Sequence, residues 1–201
     1  MSRQKKFILD ENQIPEQWYN IQADMVNKPL PPLNPATHEA LTADDLSHIS
    51  AAECAKQELE MEHAWIDIPE EVRDKYKFYR SAPLVRAYGL EEALDTPAHI
   101  YFKNESVNPL GSHKINSALP QCYYCKQEGT TNVTTETGAG QWGAALSYAA
   151  KIFGLDAAVY QVKITMEQKP YRSSIMRTFG AAVTGSPTTS TRARKNILTT
   201  A

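Results

Sequence analysis

Two stretches hold residues whose types and spacing could do chemistry. The first reads Asn108-Pro-Leu-Gly-Ser-His-Lys-Ile-Asn116. A Pro/Gly loop presents Lys114 at the start of a predicted helix, near the positive end of the helix dipole, where an ammonium ion is disfavoured. The neutral amine is the form that attacks a carbonyl carbon, so this setting suits a nucleophilic lysine. A lone lysine is ordinarily a surface charge, but cationic side chains favour helix C-termini, which sets Lys114 apart. The second stretch reads Thr135-Glu-Thr-Gly-Ala-Gly-Gln-Trp-Gly143. It follows a β-branched run and precedes a helical one. Gly138 and Gly140 let backbone amides close on an anion, and the helix N-terminus adds its field, so the turn suits a carboxylate or a phosphate. Glu136, at the strand end, can act as a general acid or base.

The same turn also spells G-x-G-x-x-G at Gly138, Gly140 and Gly143, in the strand–turn–helix setting of a dinucleotide site. That reading needs an acid about 20 residues on, at the end of the next strand, to hold the ribose. Tyr160, Val162 and Lys163 stand there instead. Asp156 comes before that strand and Glu167 after it, and the Lys114 loop is left unexplained. The charges of Glu167-Gln-Lys-Pro-Tyr-Arg172 suit a solvated helix start. His38, His48, His63 and His99 show no metal-ligand spacing. Cys122 and Cys125 have the spacing of a metal or redox pair, but no second pair exists to complete a zinc site. Both fall well inside a predicted helix, so packing is the expected role of the cysteines, and no metal is expected.

The elements that must position these residues follow from the pattern of the chain. Residues 1–40 read as an irregular arm, with Pro29, Pro31, Pro32 and Pro35 excluding a helix. Thr42 and Asp45 approximate a capping box for a helix running to about His63. A short helix starts at Pro69, and the stretch at 65–69 ends the one before it. From residue 97 strands and helices alternate: strands over 98–103, 131–135, 157–164 and 181–185, helices over 113–127, 144–153, 167–179 and from 188 to 200. Pro120 should kink or shorten its helix. Such alternation with short connections predicts an α/β fold, a layered, largely parallel sheet flanked by helices. Two regions are expected: 1–96, the arm and helical segment, and 97–201, a partial α/β cofactor and substrate domain. The last helical pattern reaches Ala201 without a stop, and the sheet would be left with an open side. The sequence therefore reads as part of a longer protein.

The 201 residues are 42% apolar and 22% charged, ordinary for a globular protein with a packed core. A formal net charge of -2 argues against nucleic-acid or anionic-membrane binding. No run approaches a membrane span, and the N-terminus lacks the apolar core of a signal peptide, so a cytoplasmic location is expected.

These motifs resemble a known family. Gly111-Ser-His-Lys-Ile-Asn116 and Glu136-Thr-Gly-Ala-Gly-Gln141, with 22 residues from Lys114 to Glu136, look like the tryptophan synthase β chain. Trp18-Tyr-Asn20, Pro31-Pro-Leu33, Ile68-Pro-Glu-Glu-Val72, Pro83-Leu-Val-Arg86, Trp142 and Glu167-Gln-Lys-Pro-Tyr-Arg172 look like its longer, second variety. Pro120 and Tyr79-Arg-Ser-Ala-Pro83 depart from the family pattern. The resemblance implies half of a two-domain, fold type II enzyme built around pyridoxal 5'-phosphate, joining L-serine and indole to give L-tryptophan and water. It implies that Lys114 holds the cofactor covalently and moves the α-proton, with His113 beside the cofactor phosphate. It implies that Glu136 assists loss of the serine hydroxyl and activation of indole. Thr137, Gly138, Ala139, Gly140 and Gln141 would grip the substrate carboxylate, Gln141 also lying near the cofactor ring. The family's glycine-rich phosphate loop and its partner for the pyridine nitrogen would lie beyond Ala201. A homodimer and an α chain partner are further implications. The alternatives are a related enzyme making cysteine or threonine, and a non-catalytic piece.

Overall fold

The computed structural model describes residues 3–191. In chain order the elements are β1 (Lys6–Phe7), β2 (Gln17–Tyr19), α1 (Ala43–Ser47), α2 (Ala52–Glu58), β3 (Trp65–Asp67), α3 (Glu70–Lys77), β4 (Leu84–Arg86), α4 (Tyr88–Ala93) and β5 (Tyr101–Lys103). They continue with α5 (Ile115–Gln127), β6 (Asn132–Thr137), α6 (Gln141–Phe153), β7 (Asp156–Val162), α7 (Lys163–Gln168), α8 (Pro170–Thr178) and β8 (Ala182–Ser186). The chain divides into two compact units, one made of Met1–Lys28 and Met61–His113, the other of Pro29–Glu60 and Lys114–Ala201.

The first unit is built from short antiparallel pairings. β4 lies between β1 and β5, and β2 pairs with β3, Trp18 facing Ile66. The arm expected to be irregular thus contributes two strands, and the stretch expected only to end a helix is β3. Three-residue strands are too short to show an alternation in sequence; cross-strand contacts such as Tyr19 on Trp65, ring centroids 5.1 Å apart, hold this pair. The strand expected over 98–103 shrinks to β5 and pairs antiparallel with β4, so it is not part of the parallel sheet. Val72 and Tyr76 on α3 are fully buried in this unit.

The second unit carries the parallel sheet, in the order β6-β7-β8. α6 explains its central place by composition: four alanines, two glycine-flanked ends and one bulky stop at Phe153 let it pack closely on neighbours, and eight of its 13 residues are buried. It packs against α5, α8 and β7. α5 runs unbroken through Pro120, against the expectation of a kink or a lost turn. Buried Ile115, Ala118, Leu119 and Cys122 on the same helix offset the missing N–H. The helix expected over 167–179 is two helices, split where Pro170 pushes Lys169 out of helical geometry (φ -132°, ψ 60°). α1 keeps the capping box, with Asp45 N donating to Thr42 Oγ1 (3.2 Å) and Thr42 N to Asp45 Oδ2 (2.8 Å). It stops at Ser47 rather than continuing to His63, and α2 follows as a separate helix over Ala52–Glu58. The helix expected from 188 to 200 falls mostly outside the described residues.

Candidate active site

The two motifs open and close one helix–strand passage of the chain. α5 enters at Lys114 and returns to the start of β6; β6 then delivers Glu136 and the turn, and α6 leaves from that turn. Glu136 and residues 138–141 lie at the carboxyl end of β6, where open parallel sheets bind their ligands, and Lys114 stands at the start of the helix that precedes this strand.

The loop before the lysine is fastened by one buried side chain. Asn108 Nδ2 donates to the Ser112 carbonyl (2.9 Å), and Asn108 Oδ1 accepts from the amides of Leu110 (3.0 Å) and Ser112 (3.3 Å). His113 follows, exposed, and Lys114 is the half-buried residue that caps α5.

The second motif is shaped from behind. Gly140 caps α6 with φ 88°, a left-handed conformation open to glycine and strained for other residues. A Cβ there would stand 2.8 Å from Arg172 Cβ and 3.1 Å from Gln161 Nε2. A Cβ on Gly143 would meet Met176 Sδ at 2.7 Å, Val159 Cγ1 at 2.8 Å and Thr137 Cγ2 at 2.9 Å. The second glycine is thus required by packing rather than by an anion. Buried Thr137 accepts the Gly143 amide on Oγ1 (3.2 Å), and Trp142 Nε1 donates to Thr135 Oγ1 (2.9 Å). Thr165 Oγ1 donates to the Gly138 carbonyl. These bonds fix the turn, and one of them uses the amide of Gly143, the third residue of α6. Glu136 is exposed and is the one charged residue of 130–143.

Sequence reasoning missed the residues that hold the turn from the far side. Gln161 is wholly buried, accepts from Ser173 Oγ (2.9 Å) on Oε1, and leaves Nε2 without a partner among the described residues. A glutamine in a β-strand carries no sequence signal for such a place; only its register next to Thr137 reveals it. Thr165 was equally silent, and the charge of Arg172 pointed only to a solvated helix start. Among the described residues no cluster of His, Cys, Asp or Glu could hold a metal ion.

The structure thus holds a lysine at the start of α5 and a glycine turn beside a single carboxylate at the carboxyl end of β6. The sequence profile described as pyridoxal-phosphate dependent enzyme matches residues 76–199, and the chain belongs to that family, with its α/β fold of type II. It is 47% identical over 195 residues to a tryptophan synthase beta chain 2 of Methanosarcina mazei, covering 97% of this chain and 44% of that one. It is 48% identical over 190 residues to a protein of the same name from Thermotoga maritima, covering 94% and 45%. The chain thus spans less than half the length of these curated relatives. A fungal L-serine ammonia-lyase from Rhizomucor miehei superposes with a TM-score of 0.43 at 26% identity, over 53% of this chain and 32% of that one. The residues present fit the family's cofactor at one point: half-buried Lys114 at the start of α5 offers an amine for its aldehyde.

Proposed function

We propose that the protein carrying this chain joins L-serine and indole by β-replacement, giving L-tryptophan and water. What supports the reading is Lys114 at the start of α5 and the Glu136 turn at the end of β6, on a chain similar along 97% of its length to proteins named tryptophan synthase beta chain. When bound, pyridoxal phosphate supplies the electron sink for a carbanion at the substrate α-carbon. Lys114 Nζ would hold that group and move the α-proton. The amides of 137–141 orient the serine carboxylate, with Gln141 also beside the ring and His113 beside the phosphate. Glu136, exposed at the strand end, gives a proton to the departing hydroxyl and later takes one from indole. The whole protein works as a homodimer in the cytoplasm, and an α chain is a candidate source of indole. The 201-residue chain alone is inactive, since it spans only 44% of the Methanosarcina relative.

Substrate competition tests the reading. The whole protein with cofactor is offered serine plus indole, an activated serine plus sulfide, and phosphohomoserine. Tryptophan should form, and Glu136→Gln should slow it about 100-fold or more. Turnover of the second or third substrate in place of the first would assign the protein to cysteine or threonine synthesis instead.

A further inference from the structure

Glu136 is exposed, and among the described residues no hydrogen bond or ion pair holds its carboxylate. Its place is set through its backbone. The Asp156 amide donates to the Thr131 carbonyl (2.9 Å). Backbone groups alternate in direction along a strand, so those of 131, 133 and 135 turn toward β7. The carbonyl of Glu136 points the other way, and the pairing of β6 with β7 does not use it. Thr135 Oγ1 donates to that carbonyl instead (3.1 Å). The same oxygen accepts from Trp142 Nε1 (2.9 Å). A hydroxyl gives one proton and receives others, so the two bonds run head to tail from indole N–H through hydroxyl to carbonyl. Bonds in such a chain polarise and strengthen one another.

A second bond grips the strand on the other side of the acid. The Gly143 amide donates to Thr137 Oγ1 (3.2 Å). Trp142 and Gly143 are the second and third residues of α6, and Thr135 and Thr137 flank Glu136 on β6. The register sets Thr135 beside Val159 and Thr137 beside Gln161, both buried on the side of α6 and α8. Glu136 stands beside Tyr160, and side chains alternate across a strand, so its carboxylate leaves from the opposite face. The first turn of α6 thus holds the strand from one face while the acid works from the other. The two bonds differ in kind. Gly143 donates with its backbone and is wedged against Met176 and Val159. Trp142 donates with a half-buried side chain, whose packing alone would be met by a phenylalanine.

We propose that Trp142 and Thr135 are positioning residues for the proton transfers of Glu136, acting through the chain of hydrogen bonds that ends on its carbonyl. The inference rests on the reading of Glu136 as the group that moves protons in the reaction proposed above. The chain fixes the peptide that follows Glu136, and with it the direction in which the carboxylate leaves the strand. A proton-transferring group must stay within hydrogen-bond reach of its partner, so a small rotation of that peptide lowers the rate of turnover before it weakens binding.

A double-mutant cycle on the whole, cofactor-loaded protein tests it, run with whichever of the three substrate sets above the wild type turns over. Trp142→Phe keeps a ring and removes the donor. Thr135→Val keeps the branching and removes both bonds. Each should lower kcat roughly 10-fold with KM changed less than about twofold, and Thr135→Ser should keep the rate of the wild type. In the Glu136→Gln background neither substitution should lower the residual rate further. Full activity in Trp142→Phe, an equal loss in both backgrounds, or Thr135→Ser as slow as Thr135→Val would overturn the proposal. The nuclear magnetic resonance signal of the Trp142 indole N–H, identified by its loss in Trp142→Phe, gives a readout apart from turnover. Thr135→Val should shift it and speed its exchange with solvent, and Thr135→Ser should do neither. A signal indifferent to Thr135→Val would overturn the proposal equally. The product made by the wild type decides the serine and indole reading separately: cysteine in place of tryptophan, with a non-additive cycle, would end that reading and support this inference.

Discussion

Gly143 shows at the scale of one residue how a motif can be read for the wrong reason. In sequence it completes a nucleotide-like fingerprint. In the structure it is the point where α6, α8, β6 and β7 come closest, with no room for a methyl group. Gly143→Ala should cost about 1–3 kcal/mol, through a Cβ pressed against Met176 and Val159. Chemical denaturation of the variant would show this as a lowered midpoint. An unchanged midpoint would mean that the four elements can part at no cost, which close packing excludes. Asn108 is the counterpart on the other motif: a buried amide that spends both its oxygen and its nitrogen on the loop leading to Lys114. The types and spacing of Lys114 and Glu136 were legible from sequence, because a loop lysine at a helix start and an acid at a strand end are local features. Gln161, Ser173 and Arg172 were not, because their relation to the turn exists only after β7 and α8 have docked.

Whole elements differ in how much the chain announces them. α5, β6, α6, β7 and β8 were expected close to where they stand, since each is long enough to show a period and most end at a glycine. β2 and β3 were not, being three residues each and stabilised by one another. Pro170 carried a readable signal, a proline where the helix had to restart, and it divides α7 from α8. α2 and α5 are joined by a sulfur-lined contact. Cys122 is buried and Cys54 half-buried, and burial pushes their thiols up to about 12 and about 11, Cys125 adding to both. In the unfolded chain such thiols ionise near 9. Raised folded values mean that this contribution to stability is complete below pH 9 and is lost as pH climbs through about 11 and 12. Unfolding free energy measured against pH should fall over that range, and Cys122→Ala should flatten the fall. An equally steep fall in the variant would remove the thiols as its cause.

The molecule as a whole is two units of unlike construction. One is a set of short antiparallel pairings, the other a parallel three-stranded sheet with helices on one described face. The chemistry-bearing residues Lys114, Glu136 and the 137–141 turn belong to the second unit, and His113 is the last residue of the first. Among the described residues the second unit's sheet keeps an open edge and an open face. Both were foreseeable in outline, since a parallel sheet of so few strands leaves an edge. Family membership follows from the profile match over 76–199, while the reaction rests on the site. The most direct test of that site is to load the whole protein with pyridoxal phosphate, reduce it with borohydride and map the labelled peptide by mass spectrometry. The label should fall on Lys114, and Lys114→Ala should carry none. A label on another lysine, with Lys114 untouched, would contradict the account.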